Sequence, residues 1–133
     1  MIGIVVIAHG GLAESIVKVV RVFAGDSPLL ASVDLAPEAG PEDFFAKLTD
    51  VTKQVDIGKG VLVLVDLFGG TPGNCAMKLG VDRPDYKIVT GVNLPMLLEA
   101  VLNRENVTDV NELAQRVYQS SKEGIQLISI GNQ

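Results

Sequence analysis

The chain has 133 residues, 47% of them hydrophobic, and carries 11 Lys and Arg against 16 Asp and Glu for a net charge of −5. That length suits a single domain over residues 1–133, large enough to bury about two thirds of the surface its unfolded form exposes. The basic residues are scattered with no aromatic-rich basic run, which excludes nucleic acid as an expected partner, and the apolar runs end far short of the roughly 20 residues of a membrane-spanning helix.

In chain order, short β-branched runs alternate with segments whose apolar residues recur every three and four positions. The pattern predicts a strand at Ile2–Ala8 leading to a helix at Leu12–Ala24, then a strand at Leu30–Leu35 leading to a helix at Pro41–Val55. A strand at Val61–Asp66 and a helix at Pro72–Leu79 follow, and a strand at Tyr86–Gly91 precedes helices at Pro95–Asn103 and Asp109–Ser121. Pro41 and Pro72 suit a first helical turn, and Asp109 with Glu112 forms a variant of the capping box. Gly124 interrupts the last helical pattern. The "IQLISI" run beyond it, Ile125–Ile130, is too apolar to hang in water and calls for a sheet edge; only Gly131, Asn132 and Gln133 come after it.

Repeated βα units force right-handed crossovers and a parallel sheet with helices on both faces, a doubly wound α/β fold. With the strand order 2-1-3-4 the crevice opens at the carboxyl ends of the first and third strands. The only histidine, His9, ends the first strand in "IGIVVIAHGGLAES", and Asp66 ends the third in "VLVLVDLFGGTPGN". Adjacent strands lie about 4.8 Å apart, so the imidazole and the carboxylate come within hydrogen-bond reach. A carboxylate on one ring nitrogen fixes the tautomer and leaves the other lone pair free to attack, which makes His9 a nucleophile. The plainer alternatives are a histidine that fills a strand end and an aspartate that faces water after an apolar run.

Gly10 and Gly11 follow His9, and Gly69 and Gly70 follow Phe68. Glycine permits close backbone approach, so helix-start amides there can receive a phosphoryl group beside the histidine. Thr71, before Pro72, is placed as an N-cap, its hydroxyl either capping alone or also donating to a phosphoryl oxygen. The glycines match no G-x-G-x-x-G and no G-x-x-x-x-G-K-[ST], so no ATP or NAD cofactor is expected. One cysteine, Cys75, excludes an internal disulfide and, with a single histidine, a structural zinc site; no metal is expected. Near a helix start the Cys75 thiol is open to activation, but a small buried thiol is the commoner case. Glu14 and Ser15 read as a helix-start acid and a surface hydroxyl. The first residues carry no cationic leader and no cleavage site, which points to the cytoplasm.

"IVVIAHGGLAES", "GVLVLVDLFGGTPGNCA" and "IVTGVNLPMLLEAV", in this order and spacing, resemble the enzyme IIA domain of the mannose-type family of the bacterial phosphoenolpyruvate-dependent sugar phosphotransferase system. The resemblance runs almost end to end. It implies that His9 takes a phosphoryl group from the histidine-containing phosphocarrier protein and passes it to an enzyme IIB partner. Asp66 then matches the aspartate that orients the ring, and Thr71 a hydroxyl that supports the phosphoryl group. It also implies a homodimer that exchanges a C-terminal strand, for which Ile125–Ile130 is the candidate, and contact with the membrane only through a IIC/IID transporter. The sequence departs from members with a large aromatic at the position of Gly11, and no fused IIB domain follows. A related phosphocarrier serving dihydroxyacetone kinase shares a strand-end histidine but not "GGTPGN". Two functions are therefore expected in competition: a transport phosphotransferase, or a regulatory module phosphorylated on the same histidine without moving sugar.

Overall fold

In a computed structural model that describes residues 1–131, one parallel sheet holds β1 (Gly3–His9), β2 (Leu30–Leu35), β3 (Val61–Val65) and β4 (Tyr86–Thr90) in the order β2-β1-β3-β4. Asn132 and Gln133 lie outside the described residues. The helices are α1 (Leu12–Ala24), α2 (Pro41–Val55), α3 (Gly70–Val81), α4 (Leu94–Asn103) and α5 (Val110–Glu123).

The strands read as unbroken apolar runs because both faces of the sheet are covered. Alternation along β1 sends Ile4, Val6 and Ala8 into the core shared with Ala13, Val17 and Val20 of α1, Leu97 of α4 and Leu113 of α5. Val5 and Ile7 go to the opposite core with Phe44 and Leu48 of α2 and Ala76 of α3. Ile7 is fully buried, so trimming it to alanine costs about 2–5 kcal/mol. This two-sided burial also fixes the register. Ile7 stands opposite Val65 of β3, and Ala8 and His9 stand opposite Asp34 and Leu35 of β2. The carboxyl ends of the two central strands are thereby held side by side.

Four differences from the sequence reading have physical causes. The third helix begins at Gly70 rather than Pro72, with Gly69 as its N-cap at φ 86, so Thr71 is its second residue and not its cap. Proline is tolerated two positions further in, as the third helical residue, because the first four amides of a helix have no intrahelical partner. The last helix runs on to Glu123, and Gly124 ends it. There a Cβ would come within 3.0 Å of Pro95, a close approach between the end of α5 and the start of α4. At the start of α5 the Asp109 carboxylate accepts the Glu112 amide at 2.8 Å as expected, but Glu112 reaches back to the Thr108 amide rather than to that of Asp109. Finally, Ile125–Ile130 forms no strand with the chain's own sheet: Leu127 is 99% and Ile130 94% exposed.

Candidate functional site

His9 closes β1, and Asp66 follows β3 with its amide still donating to the Ile7 carbonyl at 3.1 Å. The sheet continues by one bond past its last paired residue, and that bond brings the two side chains together. Nδ1 of His9 lies 2.8 Å from Asp66 Oδ2, and the same oxygen accepts the His9 amide at 3.0 Å. The other oxygen, Oδ1, accepts the Leu67 amide at 2.9 Å. The carboxylate is thus fixed at both ends and grips the histidine by ring and backbone.

Burial raises the Asp66 pKa, but the hydrogen bonds from the His9 ring and amide, the His9 charge and the Leu67 amide outweigh it and hold the carboxyl below its ordinary value. An ionised carboxylate only accepts, so the proton of the imidazole sits on Nδ1 and the lone pair on Nε2. The His9 side chain is 44% exposed while that of Asp66 is 8% exposed, so the imidazole faces outward over a shielded carboxylate.

Nε2 looks toward the start of α3. Gly70 has φ +71, and a Cβ built on it would lie 3.2 Å from Cε1 and 3.3 Å from Nε2 of His9. A side chain there would crowd Nε2, so the second glycine of the "GG" before Thr71 has a steric reason. Among the described residues no side chain caps α3 and no acid lies in its first turn. An uncapped helix N-terminus carries about half a positive charge and donates amides to anions.

The glycines on the other side serve a different purpose. Gly11 is the N-cap of α1 and has no side chain to cap with; Asp34, at the carboxyl end of β2, does so from outside the helix. Its Oδ1 accepts the Ala13 amide at 2.9 Å and its Oδ2 the Glu14 amide at 3.0 Å. The expectation of open amides at both helix starts is therefore corrected: those of Ala13 and Glu14 are taken. Sequence reasoning passed over Asp34, although a charge one residue before the end of "LASVDL" is a signal close to that of Asp66 ending "VLVLVD".

Among the described residues no group hydrogen-bonds to the Thr71 hydroxyl; the residue lines a cavity of about 370 Å³ between α2 and α3 with Glu42, Phe45 and Cys75. Cys75 is buried, 3.6 Å from the Pro41 carbonyl. Burial pushes its thiol pKa up, Lys78 opposes this and Glu42 adds to it, so the group stays a protonated thiol and not a nucleophile. Glu14 is exposed and pairs with Lys18 at 3.8 Å, a surface contact. A larger cavity, about 670 Å³ around Gly60, Asp85 and Arg104, lies at the opposite end of the sheet. Leu12, Leu67 and Phe68, within three residues of His9 or Asp66 in the chain, are exposed apolar side chains. Among the described residues no three His, Cys, Asp or Glu side chains could hold a metal ion, and no helix is long and apolar enough to cross a membrane.

Comparison with known proteins adds to this geometry. The family described as EIIA-man, PTS system fructose IIA component, matches residues 3–118. The PTS system mannose-specific EIIAB component of Escherichia coli K12 is 32% identical over 127 residues, covering 96% of this chain and 39% of that protein. The chain therefore spans about two fifths of that relative's length. The transcriptional regulatory protein LevR of Bacillus subtilis is 35% identical over 135 residues, 95% of this chain and 13% of its own length. The crystal structure of phosphotransferase system component EIIA from Streptococcus agalactiae superposes with a TM-score of 0.87 at 34% identity, covering 95% of this chain and 96% of that one.

Proposed function

Because the chain belongs to the EIIA-man family of phosphotransferase-system IIA components, we propose that residues 1–133 act as one cytoplasmic IIA domain. It takes a phosphoryl group from the histidine-containing phosphocarrier protein onto His9 and hands it to enzyme IIB in sugar uptake. The observation that carries this reading is the 2.8 Å contact between His9 Nδ1 and Asp66, which leaves Nε2 directed at the uncapped start of α3.

The Nε2 lone pair attacks the phosphorus of the donor's phosphohistidine as the donor's N–P bond breaks and its imidazole departs. The proton on Nδ1 stays in place, and Asp66 balances the positive charge that the ring gains. Transfer to enzyme IIB runs the same exchange in reverse, with His9 as the leaving group. Little covalent work falls to the protein in such a transfer; position and charge supply the catalysis. The amides of Gly70 and Thr71 and the Thr71 hydroxyl receive the phosphoryl oxygens, while Gly69 sets the turn that aims them. Gly10 and Gly11 serve the fold of the rim. Leu12, Leu67 and Phe68 offer the apolar ring on which either protein partner seats.

The test is incubation of the chain with phosphoenolpyruvate, enzyme I and the phosphocarrier, followed by mass measurement. One acid-labile phosphoryl group is expected on the wild type and none on His9→Ala; undiminished labelling of that variant refutes the assignment. The similarity to part of LevR favours a second reading, a regulatory module phosphorylated on the same residue. IIB and IIC genes encoded nearby support transport, and their absence supports regulation.

The same reading includes a homodimer. β4 is a sheet edge, and beside it Lys87–Thr90 with Asn111, Ala114, Gln115 and Tyr118 line a groove of about 410 Å³. The exposed apolar run 125–130 of a second copy suits that edge. Truncation after Gly124 then yields monomer or aggregate by light scattering, whereas an intact dimer of normal stability puts the interface elsewhere.

A further inference from the structure

We propose that Asp34 is a positioning residue that closes the start of α1 to anions and so directs the phosphoryl group of His9 to the start of α3. The inference rests on His9 carrying that group, and it adds to that reading the side from which the group is held.

Two helices begin beside His9, and each N-terminus attracts negative charge. Left alike, they would compete for the same phosphoryl oxygens, and a group drawn toward α1 would be turned away from the geometry that Nε2 needs. They are not alike. At α1 both carboxylate oxygens of Asp34 are engaged by the amides of Ala13 and Glu14, and Glu14 adds a second acid in the same turn. About half a positive charge at a helix end is thereby outweighed. At α3 the first turn has neither an acid nor, among the described residues, a capping side chain. The placement is dictated by the sheet. Asp34 stands opposite Ala8 in the parallel register, so β2 delivers its carboxylate beside the chain segment that leads from His9 into α1. Asp66 and Asp34 thus flank the histidine from its two neighbouring strands, one bonded to the ring and the other to the adjacent helix.

A purely structural cap would stabilise α1 without affecting where an anion goes, and that difference is measurable on the full-length chain. Inorganic phosphate is titrated while backbone amides are followed by ¹H–¹⁵N NMR. In the wild type the amides of Gly70 and Thr71 are expected to shift while those of Ala13 and Glu14 stay silent. In Asp34→Asn, which keeps an acceptor oxygen but removes the charge, the Ala13 and Glu14 amides are expected to respond as well. The kcat for transfer from the phosphorylated phosphocarrier should fall about fivefold with KM unchanged, the scale of one charge at a helix terminus. Ala13 and Glu14 amides that already respond in the wild type overturn the proposal, with no variant required. So do amides that remain silent in a folded Asp34→Asn. Phosphate titration does not depend on phosphotransfer, so a wild type that takes no acid-labile label refutes the function proposed for His9 while this pattern is judged separately.

Discussion

α1 and α3 both follow a central strand that ends at His9 or just before its partner Asp66, and both start at paired glycines, α1 just after its pair and α3 on the second glycine of its own. At α1 a Cβ on either glycine would meet nothing within 4 Å, and the helix dipole is spent on Asp34, which accepts the Ala13 and Glu14 amides. At α3 Gly70 leaves room for Nε2 of His9, and the dipole is unspent. The same dipeptide thus stands before two different helix starts, and what separates them is the side chain that a neighbouring strand presents to one of them. A helix start becomes an anion site only when nothing else in the fold has filled it first.

The contrast can be broken most severely through the residue that fixes the ring between the two helices. Asp66→Ala should slow phosphoryl exchange by roughly 10²-fold, the usual scale for a positioned catalytic group, with the fold retained. Rapid-quench transfer rates with circular dichroism check this, and wild-type rates would remove the carboxylate from the mechanism.

Gly70→Ala comes next, because it places a methyl against Nε2 and forces alanine into φ +71. The left-handed strain alone costs about 1–2 kcal/mol, and transfer should slow by at least about tenfold if that strain is felt in the transition state. Thr71→Val, which keeps the shape and removes the hydroxyl, should lower the transfer rate by about tenfold, the worth of one hydrogen bond to a charged group. An unchanged rate would leave the phosphoryl oxygens to the backbone amides.

Acid supplies a different probe of the same rim. The folded pKa of Asp66 lies below its unfolded value, so its pairing stabilises the fold above the unfolded value of about 4 and that contribution is lost as pH falls from there through the folded pKa. Urea midpoints measured between pH 6 and pH 3 should therefore fall less steeply in Asp66→Asn than in the wild type. Parallel curves would mean that Asp66 is no more strongly held than in the unfolded chain.

The smallest effect is expected at α1. Gly11 has φ −102, and a Cβ there meets nothing within 4 Å. Gly11→Ala should change stability by less than about 0.5 kcal/mol and leave transfer near the wild-type rate. A loss matching that of Gly70→Ala would mean that the two helix starts are equivalent after all.

The sequence by itself determined the layers and the pairing of His9 with Asp66. β-branched runs separated by helical periods leave only a parallel sheet with helices on both faces, because such runs must be buried on both sides. The strand ends then place a sole histidine and an aspartate together, since parallel neighbours in register share their carboxyl ends. Helix starts were legible where a proline or an acid marked them, as at Pro41 and Asp109, and least legible at Gly70, where two glycines at positive φ let the ladder begin before the proline. Only the tertiary structure decided which oxygen holds which ring nitrogen, that Gly70 rather than Gly10 or Gly11 faces Nε2, and that Asp34 caps a helix 20 residues away. Those facts depend on register between strands, which no local pattern records. The run 125–130 marks the same boundary from the other side: its composition demands a sheet edge, and it pairs with neither edge of the chain's own sheet. Apolar composition states that a surface must be covered, while the partner that covers it is a property of the assembled backbone.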